Sequence, residues 1–143
     1  MSISPTGVWH SSHLPHKTST RLVSAVLELL PQPRTVRDLG CGPGHYLAEL
    51  AERGCEVSGV EGTPGVCPAD YVRCADLTQP LDLAPVDLTL CIEVGEHIPL
   101  AGAAAFLDNV RRSVGRDLVL SWAVPEQPGH GHVNCQPNEV VID

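Results

Sequence analysis

The sequence predicts a single α/β domain built on an open, mostly parallel sheet with helices on both faces, shortened at its C-terminus. Two observations carry this. Short apolar runs of strand character alternate with segments of helical period, and Pro and Gly fall at short intervals between them, with no internal repeat or low-complexity tract. Strands separated by helix-length segments pair in parallel through right-handed crossovers. A third observation sets the scale, since 143 residues with 43% apolar content suit one hydrophobic core and one domain, 1–143.

The elements follow in order. Residues 18–30 place Leu22, Val23, Val26, Leu27 and Leu30 at helical spacing, and Pro31-Gln32-Pro33 ends that helix. Residues 35–39 form a short strand, 46–53 a helix closed by Gly54, 56–60 a second strand and 71–74 a third that leads into Ala75-Asp76-Leu77. The run Val-Asp-Leu-Thr-Leu-Cys-Ile at 86–92 is a fourth strand. A helix over 101–113 carries Phe106, Leu107 and Val110 on one face, and 117–124 is the last strand. Residues 1–20 are left as an N-terminal lid or tail, and 125–143 as a substrate-side loop and tail.

Composition excludes several function classes. The net charge is -8, and Arg111 and Arg112 are the sole adjacent basic pair, so a nucleic-acid docking surface is not expected. No apolar run approaches the ~18 residues that cross a bilayer, and the N-terminus lacks a signal sequence, which points to the cytoplasm and away from membranes. Six cysteines without a C-x-x-C pair suggest reduced thiols and no zinc site.

In an open α/β sheet, ligands bind at the carboxyl ends of the strands, where strand order reverses. Here those ends are residues 38–44, Glu61-Gly62, Asp76-Leu77 and residues 93–97. The first, Asp38-Leu39-Gly40-Cys41-Gly42-Pro43-Gly44, sets three glycines where backbone doubles back and a ligand approaches without a Cβ in the way, just before a helix N-terminus. Such a turn also occurs without any ligand. Glu61, about 20 residues downstream at the end of the next strand, adds a carboxylate placed to hold two ribose hydroxyls. The glycine spacing is G-x-G-x-G and not the dinucleotide pattern G-x-G-x-x-G, and Asp38 would repel a pyrophosphate while attracting an ammonium group.

On these motifs the chain resembles the class I S-adenosylmethionine-dependent methyltransferases. Residues 38–44 look like that family's first motif, Val60-Glu61-Gly62 like its ribose-binding acidic position, Cys74-Ala75-Asp76-Leu77 like its adenine-flanking loop, and residues 92–99 like its motif after the fourth strand. The resemblance runs from about Leu22 to Val124. It implies a Rossmann-like fold and S-adenosyl-L-methionine as methyl donor, with S-adenosyl-L-homocysteine as product. It further implies a cofactor site of Asp38, Gly40, Cys41, Gly42, Gly44, Tyr46, Glu61, Gly62, Asp76, Leu77 and Glu93. Asp76 would bond the adenine amine and Leu77 pack on the ring; a turn-forming role is the alternative for Asp76.

Methyl transfer needs alignment, with the acceptor about 3 Å from the methyl carbon, and a base where the acceptor loses a proton. His97 is the first candidate base, since imidazole titrates near neutral pH; Glu93 is the second, with Glu96 nearby. The alternative for His97 is helix capping or steric lining. The polar segment 121–134 is expected over the same crevice, where His130 and His132 would meet the acceptor. That H-x-H pair with Glu93 or His97 could hold a metal, but such a pair is more often a solvated loop, and no metal is expected. His10, His13 and His16 precede the first helix, where this family often closes a lid, and Trp9 and His13 are expected at the substrate.

The acceptor is expected to be a small molecule, in natural-product biosynthesis. Two other functions fit less well: an S-adenosylmethionine-binding protein or regulatory subunit with lost or altered chemistry, and a nucleotide-dependent oxidoreductase. The apolar last strand lacks a neighbour to cover it, so a homodimer or a partner subunit is expected at that edge, with Val140-Val141-Ile142 contributing.

Overall fold

The computed structural model describes Ser4, Gly7 and residues 18–142. Its elements are α1 (Leu22–Leu29), β1 (Thr35–Leu39), α2 (His45–Glu52), β2 (Glu56–Glu61), β3 (Val72–Cys74), β4 (Val86–Ile92), a 3₁₀ turn (Gly95–His97), α3 (Leu100–Ser113), β5 (Val114–Ser121) and α4 (Asn138–Ile142). The strands form one sheet in the order β3-β2-β1-β4-β5, and every pairing is parallel. The expected α/β architecture is present.

Strand alternation explains why both faces are covered. On one face Val36, Leu88 and Leu90 pack with Val23 and Val26 of α1 and Leu50 of α2. On the other, Leu39, Val60 and Cys91 pack with Phe106 and Val110 of α3. Side chains one residue apart in a strand face opposite ways, so Val36 and Leu39 of β1 serve different cores. A fully buried aliphatic side chain contributes about 1.5–3 kcal/mol. Val36, Leu39, Leu88 and Phe106 are all at 0% exposure, and they join the site-bearing strands to the helices.

Several boundaries differ from the sequence expectation, two of them with a structural reason. The first helix begins at Leu22, with residues 18–21 entering it as a turn. The last strand runs Val114–Ser121 and not 117–124, because α3 passes into it without a loop and Val114 already pairs with Val86. Gly115 permits this join: a Cβ there would lie 2.7 Å from the Val86 carbonyl oxygen. Trp122 then leaves the sheet to pack edge-on against Phe106, ring centroids 5.7 Å apart. Within the expected tail, Asn138–Ile142 is a short helix with Val140 and Ile142 exposed. Among the described residues no helix is long and apolar enough to cross a membrane.

Candidate active site

Parallel pairing puts the ends of β1, β2, β3 and β4 along one rim, and the order reverses at β1, which has β2 on one side and β4 on the other. The glycine turn sits at that reversal. Gly40, Gly42 and Gly44 have φ of 79°, 52° and 80°, the left-handed region that side chains disfavour. Gly40 N and Cys41 N donate to the Val60 carbonyl at 2.8 and 3.2 Å, which fastens the turn to the end of β2. A Cβ on Gly40 would lie 2.5 Å from Val94 Cγ2. Gly44 is the N-cap of α2, so that helix opens toward the turn.

Glu61 crosses from β2 to the turn. Its Oε2 accepts from Gly42 N at 2.9 Å and its Oε1 from Thr63 N at 2.7 Å. A carboxylate offers about four lone-pair sites, so these two bonds orient Glu61 and leave it capacity for hydroxyl donors. Asp38 lies beneath, 2% exposed. Burial, aided by the Glu61 carboxylate, pushes its acid up to about 7. A cation at the turn would reverse that shift. Cys41 is buried, and burial pushes its thiol up, so it serves as wall and not as a nucleophile.

The remaining expected cofactor residues have structural partners of their own. Asp76 Oδ1 accepts from Thr78 N at 2.8 Å and Thr78 Oγ1 at 2.7 Å, so the turn-forming role exists. Leu77 is buried in the core beside Val60 and Phe106, and its carbonyl accepts from Asn109 Nδ2 at 2.9 Å. Tyr46 packs on the α1 side of the sheet and its hydroxyl accepts from Ser19 N at 2.9 Å. Gly62 is half-buried, and its carbonyl meets Cys74 Sγ at 3.9 Å.

The β4 end forms the opposite wall. Glu93 is exposed and adopts φ 57°, a left-handed conformation unusual for a residue with a side chain. Ser121 at the end of β5 braces it: Glu93 N donates to Ser121 Oγ at 2.9 Å, and Ser121 Oγ donates to Glu93 Oε1 at 2.7 Å. Glu96 and His97 follow in the 3₁₀ turn. The loop after β5 folds over this turn, with Val133 N and Asn134 N donating to the Glu96 carbonyl at 2.8 and 3.0 Å. Trp122 Nε1 donates to the Asn134 carbonyl, and Gly95 leaves the space that the Trp122 ring fills.

That folding brings His132 to His97, ring centroids 5.3 Å apart and edge-on. His97 Nδ1 bonds the Gly131 carbonyl at 3.1 Å. Burial lowers the His97 pKa, which keeps the ring neutral at pH 7. His130 is exposed and is not part of that pair. Of the N-terminal segment, Gly7 is buried against the His97 carbonyl; Trp9, His10, His13 and His16 lie outside the described residues.

A family model for the methyltransferase domain matches residues 37–117, more than half of the chain. The chain belongs to the methyltransferase domain family. An uncharacterized methyltransferase from Mycobacterium sp. (strain JLS) is 38% identical over 86 residues, covering 54% of this chain and 34% of that protein. The chain thus spans about a third of the length of the curated relatives it matches most strongly. Among solved structures, magnesium protoporphyrin IX methyltransferase from Synechocystis PCC 6803 with bound S-adenosylhomocysteine superposes with TM-score 0.65 at 21% identity, covering 83% of this chain and 66% of that one. The sugar N-methyltransferase KedS8 from Streptoalloteichus sp. gives TM-score 0.58 at 25% identity, covering 76% and 50%.

The methyltransferase domain's cofactor is S-adenosylmethionine, and the β1–β2 half of its crevice fits that group by three features of this chain. The turn leaves no room for a Cβ at Gly40, Asp38 is a buried acid beside the like charge of Glu61, and Glu61 is held at the turn by backbone amides. Sequence reasoning gave Glu96 a secondary place. In the structure its side chain is buried, at 0% exposure. Its signal was the spacing Glu93-x-x-Glu96-His97, which one turn of 3₁₀ helix folds into a single cluster.

Proposed function

We propose that this domain transfers a methyl group from S-adenosylmethionine to a small-molecule acceptor. The observation that carries the reading is the bond from Gly42 N to Glu61 Oε2, which sets a carboxylate across a side-chain-free turn at the strand-order reversal. When bound, the cofactor supplies an activated methyl group on a good leaving group. Glu61 then takes the ribose hydroxyls, and Asp38 meets the ammonium of the methionine end. The Oδ2 side of Asp76 faces the adenine amine in this reading, with Oδ1 retained by Thr78. Leu77, Cys41, Gly62 and Tyr46 are wall residues behind these contacts.

The β4 side handles the acceptor. His97, neutral through burial, presents a lone pair there, and Glu93, braced by Ser121, adds negative charge. Trp9, His13, His130 and His132 are proposed at the acceptor's outer side. A small acceptor fits the acidic surface, with net charge -8. A place in natural-product biosynthesis is part of this proposal, and KedS8, a sugar N-methyltransferase, is a neighbour of the same fold. Calorimetric titration with S-adenosylhomocysteine, followed by turnover of labelled S-adenosylmethionine over a panel of small acceptors, tests the reading. Tight binding without transfer to any acceptor would favour a cofactor-binding protein of altered chemistry. Absence of binding would refute the reading.

A further inference from the structure

Glu96 poses a physical problem that methyl transfer alone does not answer. Its side chain is at 0% exposure, and among the described residues neither carboxylate oxygen has a hydrogen-bond donor. An unsatisfied buried acid is costly, typically by several kcal/mol for a charge. Of the groups nearest to it, one aggravates this cost and the other eases it only in part. Glu93 adds a like charge, and His132 Nε2 stands 4.0 Å from Glu96 Oε1, beyond hydrogen-bond range.

The same place gathers two imidazoles. Glu96, His97 and His132 each bring one ligand atom to within 4.8 Å of the others, close enough that small side-chain movements would let the three share one cation. Both rings are held by their other nitrogen. His97 Nδ1 bonds the Gly131 carbonyl at 3.1 Å, and His132 Nδ1 bonds the Gln127 carbonyl at 3.2 Å. Nδ1–H donation to a backbone carbonyl leaves the lone pair on Nε2, the outer-sphere arrangement that orients metal-bound histidines. Gly129 supplies the room for this: its α-carbon passes so close to His132 that a Cβ would collide with the imidazole. The loop is anchored to the cluster as well, through the Val133 and Asn134 amides on the Glu96 carbonyl.

We propose that Glu96, His97 and His132 form a binding site for one divalent cation at the β4 end of the crevice. The set is two imidazoles and one carboxylate, which suits zinc and the neighbouring first-row ions more than calcium. A cation satisfies the orphaned Glu96 oxygens and offsets the Glu93 charge beside them. Three protein ligands leave at least one position open. Resting on the methyl-transfer reading, that position takes an oxygen of the acceptor, which makes the acceptor a molecule with a hydroxyl or similar oxygen donor and makes His97 a ligand in place of a base. This proposal departs from the sequence expectation of no metal.

The test is calorimetry on the full chain, stripped with chelator and titrated with ZnCl2 and, separately, MnCl2. Manganese is included because thiolates bind it poorly, so the six cysteines do not mimic the site. One equivalent should bind, and the melting temperature should rise with it. Glu96→Gln and His132→Ala should each weaken binding by about tenfold or more, and His132, on a loop, keeps the test open should the Glu96 variant fold poorly. Absence of binding by both ions, or binding that survives unchanged in His132→Ala, would overturn the site. Titration of the same samples with S-adenosylhomocysteine separates the two ideas: nucleoside binding without metal binding sinks the cation site alone, and the reverse sinks the methyl-transfer reading alone.

Discussion

Replacing Asp38 by Asn should make the ligand-free domain more stable at neutral and higher pH. Asp38 is 2% exposed, and burial together with Glu61 raises its pKa from 3.8 to about 7. The folded state therefore holds a proton that the unfolded chain releases above its ordinary carboxylate pKa. Between the two values the native state binds more protons than the unfolded one, so Asp38's contribution to stability falls as pH rises. It is fully present below about 4, declines through pH 4–7, and beyond 7 the penalty is constant. Three pKa units correspond to on the order of 4 kcal/mol, at 1.36 kcal/mol per unit. For a domain of this size that is roughly 8–16 °C in melting temperature. Asn conserves the shape and removes the ionisation. Leaving its amide short of a partner would lower the whole curve by about 1–3 kcal/mol without changing its slope. The assay is thermal denaturation of both proteins from pH 4 to 9. The difference between them should widen with pH up to 7 and then level off, and saturating S-adenosylhomocysteine should narrow it at pH 8, since the ligand's ammonium compensates Asp38 in the wild type. Parallel stability–pH curves would refute the reasoning, and with it the assignment of Asp38 as the ammonium's counter-charge.

Glu61→Ala removes both the ribose acceptor and the brace on Gly42, so affinity for S-adenosylhomocysteine should fall by about tenfold or more, given roughly 1.5–3 kcal/mol for a charge-assisted bond; unchanged calorimetric affinity in the folded variant would sink that assignment. His97→Ala should lower turnover while leaving S-adenosylhomocysteine affinity within about threefold, because its turn lies on the β4 side of the crevice; an unaltered rate across neutral pH would leave His97 a packing role. We also propose a homodimer or partner subunit on β5, which among the described residues pairs with β4 alone and exposes Leu118. Light scattering on the purified chain should give a mass above the monomer's at micromolar concentration, and a stable monomer there would end this idea.

The fold was legible wherever apolar period and chain punctuation agreed. Thr35–Leu39 and Val86–Ile92 emerge with the expected bounds because each is flanked by Pro or Gly and buried on both faces, so the sequence carries a dense apolar run with clear ends. The last strand slipped by three residues because its start carries the opposite signals. Val114-Gly115-Arg116 is neither apolar nor punctuated in the way strands usually are, and its pairing to Val86 is a tertiary event with a register shift beside it. The Leu-Val-Leu-Ser-Trp-Ala-Val run then drew the expectation toward its apolar end, although Trp122 is apolar for a different reason: it packs on Phe106 at the α3 side of the core.

The site divides along the same line. Its β1–β2 half was legible because backbone dictates it: three left-handed glycines and an acid on the following strand are a local pattern, and Gly42 and Glu61 are in contact through the register of a single parallel pair. Its β4 half depends on where a distant loop lands. Nothing local ties His132 to Glu96, 36 positions earlier in the sequence; the tie is the pair of amides at Val133 and Asn134 on one carbonyl and the seating of Trp122 in the space that Gly95 leaves. An acid next to a histidine in a polar turn reads as surface, because most acids are exposed. Only the folded loop makes Glu96 interior, and only its burial turns a charge of small consequence into one that requires a partner. The two halves therefore make separable demands: the glycine turn calls for a ligand carrying a cationic end, and the Glu96 cluster for a cation of its own. A chain that meets both would hold donor and acceptor on opposite walls of one crevice, aligned by β1 and β4, which pair directly and pack rigidly at Asp38 and Leu90.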